Sequence, residues 1–243
     1  MTEPRFKPEP LNPLRRIYKE VSVAPREGGW SVLLDGREAR TPEKAPLRLP
    51  TETLARLIAD EWDAQEINVE FARMPATRLA FTAIDRAPAA HDALAAEVAR
   101  YAGSDLLCYF AEEPRSLIDR QAARWTPVLE WAEAELGLTF QRTAGIMHRP
   151  QPPETLARVQ ALAAELDDHR LTALAFAAPL YGSAVLALAV QRGRLSGEAA
   201  FDVSRLDEAY QEELWGVDDE AAERTAGLRA EAVMLDRWFA ALS

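Results

Sequence analysis

Residues that could carry out catalysis or bind a metal are few in this sequence and lie far apart. The chain has three histidines and one cysteine, and His91, His148 and His169 lie in three separate segments. The sequence has no HExxH or ExxH metal motif, no phosphate-binding or dinucleotide-binding glycine loop and no GxSxG nucleophile elbow. Cys108 has apolar neighbours and no adjacent histidine or lysine to lower its pKa. We therefore expect the histidines to be surface or capping residues and Cys108 to be a small buried side chain.

Carboxylates are the abundant ionisable groups, with 39 Asp and Glu against 28 Lys and Arg, a net charge of −11 and a pI of about 4.9. The resulting electrostatic field repels nucleic acids and anionic membranes. Adjacent acids at 167–168 and 218–219 fall at the starts of predicted helices, where they favour the helix dipole, so we interpret them as capping residues. The single cysteine excludes an internal disulfide and a thiolate metal cluster, and it fits a reducing compartment.

The most unusual segment is 201–224, which holds nine acids against two arginines, a net charge of −7. It is either a solvated helix face or a partner-binding surface. The spacing predicts a buried stripe made of Val203, Leu206, Tyr210 and Leu214. Glu208, Glu212 and Trp215 then share another, outward face. Aromatic residues are enriched in interface hot spots and an acidic rim can steer a basic partner, which supports the second interpretation.

The first part of the chain, 15–75, predicts a small β-rich domain. Apolar and polar residues alternate around Val21 and Trp30, and Asp35-Gly36 is typical of a hairpin turn. A short strand is expected at 47–49, and Thr51 predicts the N-cap of a helix that runs to about Gln65 and covers the sheet. The proline-rich residues 1–14 are interpreted as a flexible arm without the apolar stretch of a signal peptide.

From residue 76 the apolar period becomes helical, so 76–243 predicts an all-α C-terminal domain. The fold class is therefore α+β, a small β-rich N-terminal domain with hairpins and one covering helix, followed by a larger helical domain. A brief strand is also expected at 138–142. The expected helices are 76–86, 89–102, 115–135, 154–166, 169–178, 180–192, 198–215 and 219–241.

One segment is long enough to suggest a membrane span, since Leu171 to Val190 contains no charged residue. Pro179, Gly182 and Ser183 interrupt it, however, and alanine supplies much of its apolar character. A helix that is apolar on all sides belongs either in a core or in a membrane. We expect two buried helices that join near Pro179 and Gly182.

A set of short motifs, taken in their order and spacing, resembles one known family. The motifs are RRIYKEVSV at 15–23, LLDGREARTP at 33–42, LARLIADEWDAQ at 54–65, MPATRLAFTAID at 74–85, DLLCYF at 105–110, QAARWTPVLEW at 121–131, GSAVLALAV at 182–190 and LDEAYQEELWG at 206–216. Over roughly 14–240 they are similar to the assembly chaperones that attend the α subunit of the catalytic head of the F-type ATP synthase. The resemblance implies a chaperone that is not an enzyme and needs no cofactor, metal or small-molecule substrate.

The resemblance also implies a partner and its binding residues. The partner is the free α subunit, whose β-facing surface the chaperone shields from aggregation until β replaces it. The family's important glutamate lies in the motif at 206–216, where Glu208, Glu212 and Glu213 are the candidates. The implied partner-binding residues are Asp207, Glu208, Gln211, Glu212, Glu213 and Trp215.

Three further residues match the family away from this motif. Glu61 and Trp62 match its EW pair and Asp85 matches its TAID aspartate, and we expect them to support the domain junction. The absence of a mitochondrial presequence predicts a bacterial, cytoplasmic member. Two alternatives stay open, a helical enzyme that uses carboxylates and a permanent structural subunit of the synthase.

Overall fold

The structure is a computed structural model that describes residues 14–243. Its N-terminal part is a small antiparallel sheet. The predicted arm, apart from Leu14, lies outside the described residues. Strands β1 (Val21–Arg26) and β2 (Gly29–Leu34) form a hairpin in which Val23 is opposite Val32. Strand β3 (Arg37–Glu38) returns along β2 after Asp35 and Gly36, which both have positive φ, so the predicted turn is confirmed. Strand β4 (Arg48–Leu49) pairs with β2 as well.

Helix α1 (Glu52–Asp63) covers this sheet, as the sequence predicts. Its N-cap is Thr51, whose hydroxyl accepts a hydrogen bond from the backbone N–H of Leu54 at 3.1 Å. The same hydroxyl donates to the carbonyl of Ala241 at 2.5 Å, which joins the start of the helix to the end of the chain. Its buried residues are Leu54, Ala55, Ile58, Ala59 and Trp62.

Nine α-helices follow within the described residues, and they confirm the α+β fold class with a larger helical part. They are α2 (Pro75–Asp85), α3 (Ala87–Ala102), α4 (Arg115–Leu136), α5 (Pro153–Ala164), α6 (Asp168–Tyr181), α7 (Ala184–Gln191), α8 (Gly197–Ser204), α9 (Leu206–Trp215) and α10 (Asp219–Ala241). Single 3₁₀ turns lie at Phe71–Arg73 and Leu106–Cys108. Asp167 and Asp218 are N-caps of α6 and α10, which confirms their predicted capping role.

Two sequence predictions in the helical part are wrong. The helix expected at 198–215 is two helices, because the backbone at Arg205 (φ −101°, ψ 17°) leaves the helical conformation between α8 and α9. The strand expected at 138–142 does not form there. Instead β6 (Thr143–Ala144) pairs in parallel with β5 (Tyr109–Phe110), several residues further along the chain.

The uncharged run 171–190 forms two buried helices, as predicted, but the junction is at Gly182 and Ser183. Gly182 has the left-handed conformation (φ 61°) that ends α6, and the Ser183 hydroxyl caps α7 by accepting from the N–H of Leu186. Pro179 lies inside the last turn of α6 rather than between the helices. Within residues 14–243, no helix has the length and hydropathy that a membrane crossing requires.

The cysteine and two of the histidines pack against or hydrogen-bond to other residues of the protein. Cys108 is fully buried and burial raises the pKa of its thiol, which confirms the predicted packing role. His91 contacts the Asp168 carboxylate at 2.8 Å and the Ala164 carbonyl at 3.1 Å. His169 is half-buried in the first turn of α6, and its ring stacks on Trp238 with 6.4 Å between ring centroids. No group of three metal-ligating side chains that could hold an ion occurs in the described part of the chain.

Contacts cross the boundary that the sequence suggests at residues 75 and 76. The Glu61 carboxylate on α1 accepts from the backbone N–H groups of Ala76 and Thr77 at 2.8 and 2.7 Å. Buried apolar residues form one cluster that extends from Tyr18 to Leu242. The division into 15–75 and 76–243 therefore stays a prediction.

Candidate functional site

Helix α9 contains the residues that the sequence singled out, and it is poorly buried. Of its ten residues only Leu206 is buried. Val203 and Leu206 are buried as expected, and Tyr210 is only half-buried. Leu214 is 58% exposed, so its predicted place in the buried stripe is wrong. Beyond the first turn, α9 contacts the polar side chains Ser116 and Arg120 of α4, through Tyr210 and Glu213, and these contacts do not cover Leu214.

Polar contacts hold α9 on α4. The side-chain amide of Gln121 donates to Asp207 at 2.8 Å, and the hydroxyls of Ser116 and Tyr210 are 2.7 Å apart. Arg120 forms an ion pair with Glu213 at 2.7 Å, and its guanidinium lies 5.1 Å from the centroid of the Tyr210 ring. Partial burial raises the pKa of Asp207, although the hydrogen bond from Gln121 opposes this effect. Asp207 and Glu213 therefore both attach α9 to α4.

The three candidate glutamates have different surroundings. Glu208 accepts from Arg205 at 2.9 Å, one helical turn earlier, and Glu213 is the ion-pair partner of Arg120. Glu212 has no ion-pair partner among the described residues and lies in an open cleft of about 460 Å³. The cleft is formed by α4, α8, α9 and α10, and its charged lining residues are Arg120, Arg124, Asp202, Arg205, Glu212 and Arg229. Gln211 is exposed.

An exposed apolar group, here called the apolar tip, ends α9 and consists of Leu214, Trp215 and Val217. Their exposed fractions are 58%, 77% and 57%. Trp215 follows Glu208 by seven residues and Glu212 by three on one continuous helix, so the three residues share one side of α9 as predicted. Only Trp215 is exposed, however, and Glu208 and Glu212 are half-buried. A tryptophan left in water beside two other large apolar side chains is typical of a contact surface.

The predicted junction residues contact the N-terminal part and α2. Glu61 caps α2 as described above, and burial raises the pKa of its carboxyl despite the N–H groups that donate to it. Trp62 is buried, and its backbone carbonyl accepts from the Tyr18 hydroxyl at 2.7 Å. Asp85 accepts from the Thr41 hydroxyl at 2.6 Å and from the Glu43 N–H at 3.3 Å. These contacts support a junction role, which stays a prediction.

The sequence analysis missed several residues that shape this region. Arg120 and Gln121 lie on α4, some 90 positions from their α9 partners, and nothing local to either segment indicates the pairing. Leu214 and Val217 flank Trp215 and could have been recognised as its apolar neighbours. Ile146 and Met147, which are 97% and 78% exposed, are adjacent large apolar residues in a loop without helical period, and this pattern was a usable signal.

Comparisons of sequence and of structure with known proteins agree with one another. The family model described as ATP12 chaperone protein matches residues 15–133, so its match ends in α4. The Schizosaccharomyces pombe protein named Protein atp12, mitochondrial, is 27% identical over 228 residues, 89% of this chain and 78% of that protein.

Two solved structures are similar over nearly the whole chain. The crystal structure of Atp12 from Paracoccus denitrificans is 42% identical, with a TM-score of 0.88 over 95% of this chain and 99% of that chain. The crystal structure of the Atu1473 protein from Agrobacterium tumefaciens is also 42% identical, with a TM-score of 0.87 over 94% of this chain and 86% of that chain. At this identity and coverage the similarity concerns the sequence as well as the fold.

Proposed function

The chain belongs to the ATP12 chaperone family, and we propose that it assists assembly of the F-type ATP synthase by binding the unassembled α subunit. In this proposal it covers the surface of α that the β subunit later occupies and leaves when β arrives. It acts by binding rather than by catalysis, in the cytoplasm of a bacterium. The relatives named Atp12 and the two bacterial structural neighbours support the proposal.

The observation that carries the proposal is the apolar tip in the most acidic segment of the chain. A subunit that lacks its neighbour exposes an apolar interface, and such surfaces drive aggregation. Trp215 is 77% exposed and can insert into an apolar surface of this kind. The acids around it can raise the encounter rate with a basic client while adding little net affinity. These properties suit a contact that must later be replaced.

Among the three candidate glutamates, the geometry supports Glu212 as the one available to the client. Glu208 and Glu213 already form ion pairs with Arg205 and Arg120, whereas Glu212 forms none among the described residues and lines the open cleft between α9 and its neighbouring helices. A cationic client residue would have to displace an arginine at the first two positions but not at Glu212. We therefore propose Glu212 and Trp215 as the central pair of the client surface.

The test is light scattering of purified α subunit after dilution from denaturant, with and without an equal concentration of this protein. We expect the wild type to suppress scattering and to co-elute with α, and β subunit to abolish both. Trp215→Ser is expected to cost about 2 kcal/mol of binding, the scale of an interface hot spot, and Glu212→Lys should also weaken protection.

A matched control is Glu130→Lys, which reverses an exposed acid on α4 away from the α9 contacts. It should protect α as well as the wild type does. If Trp215→Ser and Glu212→Lys both remain folded by circular dichroism and protect fully, the client surface is elsewhere. If the wild type neither protects α nor co-elutes with it, the proposed function is wrong.

A further inference from the structure

A second exposed apolar surface lies at the loop after β6, separate from the apolar tip. Ile146 is 97% exposed and Met147 is 78% exposed. Ile146 borders a groove of about 720 Å³, here called the β5–β6 groove, whose walls include the half-buried rings of Tyr109 and Phe110. Asp207 lines the same groove, so this surface reaches the first turn of α9.

The charges that line the β5–β6 groove are all negative. They are Glu112, Glu113 and Asp207, and no lysine or arginine is among the lining residues that the structure describes. The three carboxylates do not form a group able to hold a metal ion in residues 14–243. A negatively charged wall beside the rings of Tyr109 and Phe110 is complementary to a cationic side chain that has apolar neighbours.

Asp207 is held in a fixed position at the edge of the groove. Gln121 is fully buried, and its side-chain carbonyl accepts from the backbone N–H of Ala111 at 2.7 Å. Its amide nitrogen then donates to Oδ1 of Asp207 at 2.8 Å. Oδ2 of Asp207 has no hydrogen-bond partner among the described residues, which leaves it available to an incoming donor. A carboxylate positioned in this way loses little freedom when it binds a cation.

We propose that the β5–β6 groove is a second client-contact surface, which binds an extended segment of the α subunit that carries a Lys or Arg beside apolar side chains. The cationic group binds Asp207 Oδ2 and the apolar side chains contact Ile146 and Met147. This inference rests on the proposed function. It extends the client surface from the apolar tip, past the start of α9, to the β5–β6 sheet.

The groove can be tested without the α subunit by methionine-methyl NMR on the full chain. The chain has four methionines, of which Met74 and Met234 are buried and Met147 is exposed. The Met147→Leu variant removes one signal and so assigns it. The probes are two eight-residue peptides that alternate valine and threonine around one central lysine or one central glutamate.

The lysine peptide is expected to shift the Met147 signal and to leave that of Met74 in place. Asp207→Asn keeps an oxygen for Gln121 but removes the charge, and it should weaken the lysine peptide about tenfold, as expected for a lost charge-assisted hydrogen bond. The control Asp119→Asn removes a charge from α4 that pairs with Arg115, and it should have no effect. No shift of Met147, equal shifts with both peptides, or unchanged affinity in Asp207→Asn would each overturn the groove assignment.

Aggregation assays with the α subunit distinguish a failure of this inference from a failure of the proposed function. The double variant Ile146→Ser, Met147→Ser changes only exposed side chains and should suppress α aggregation less than the wild type. If the double variant protects α fully, the groove is not a client contact even where the lysine peptide binds. If the wild type does not protect α but the lysine peptide shifts Met147, the proposed function fails and the groove remains a peptide site with another client.

Discussion

The region of helices α6 and α7 buries its apolar side chains, whereas helix α9 exposes some of its own. Residues 184–190 of α7 are all buried, and the uncharged run around them also surrounds a carboxylate, Asp105, that is fully buried. On α9 the charged residues are expected on the surface, but the apolar side chains of Leu214 and Trp215 are exposed there too. The first region satisfies its polar group internally, whereas the second leaves apolar groups without internal partners. Leu214 and Trp215 could therefore be buried only by contact with another molecule, as the proposed client surface requires.

The largest expected difference between the two regions comes from the same substitution made in each. Leu186→Ala on α7 removes a side chain with no exposed surface and should lower the free energy of unfolding by about 2–5 kcal/mol. Leu214→Ala on α9 removes a side chain that is 58% exposed and should change it by about 0.5 kcal/mol or less. Urea unfolding with a constant m-value measures both.

The two variants should show the opposite order in their ability to protect the α subunit. Leu214→Ala should reduce protection of the α subunit although it hardly changes stability, and Leu186→Ala should protect normally at temperatures where it stays folded. Comparable stability losses in the two variants would show that α9 is packed into the body of the protein. That outcome would remove the distinction between the two regions.

The second expected effect concerns the pH dependence of stability at the buried centre. Burial raises the pKa of Asp105 to about 6, although the N–H of Val185 and other donors oppose this. The folded state therefore binds this proton more tightly than the unfolded chain, in which an aspartate has a pKa of about 3.9. Stability from this group is complete at about pH 4 and is lost as the pH rises to about 6, by up to about 3 kcal/mol.

The measurement is urea unfolding from pH 4 to pH 7 for the wild type and for Asp105→Asn, which cannot ionise. The wild-type curve should fall relative to the variant's curve between pH 4 and pH 6 and run parallel to it above pH 6. Parallel curves over the whole range would mean that the donors around Asp105 fully compensate its burial.

A smaller effect is expected for the polar attachment of α9. Arg120→Ala removes the ion pair to Glu213 and the contact with the Tyr210 ring, so it should cost about 1 kcal/mol of stability or less. It should nevertheless weaken protection of the α subunit, because α9 would be less well oriented. Arg115→Ala, on the same helix and paired with Asp119, is the control and should protect fully. Equal protection by both variants would show that Arg120 does not orient the client surface.

Most of the fold follows from local signals in the sequence. Asp35-Gly36, Thr51 and the acids at 167 and 218 predict a turn or a cap correctly, because each acts on backbone groups only a few residues away. The break at Arg205 was missed because no proline or glycine marks it and the helical period continues through it. The parallel pair β5–β6 was missed because its two strands are over 30 residues apart and only two residues long.

The candidate site was predictable in part. The placement of Glu208, Glu212 and Trp215 on one side of α9 follows from helical spacing alone. The exposure of Leu214 does not, because the spacing of apolar residues cannot reveal that α9 contacts Ser116 and Arg120 of α4 without covering Leu214. The link from Ala111 through Gln121 to Asp207 is likewise a tertiary contact that joins three distant segments.

The most direct test of the central claim is hydrogen–deuterium exchange of this chain with and without the α subunit. Amides of 206–218 should exchange rapidly in the free chain, because α9 has one buried residue, and should be slowed when α is bound. Amides of 171–190 should exchange slowly in both states. Unchanged exchange at 206–218 in a complex that demonstrably contains α would contradict the assignment of this segment as the client surface.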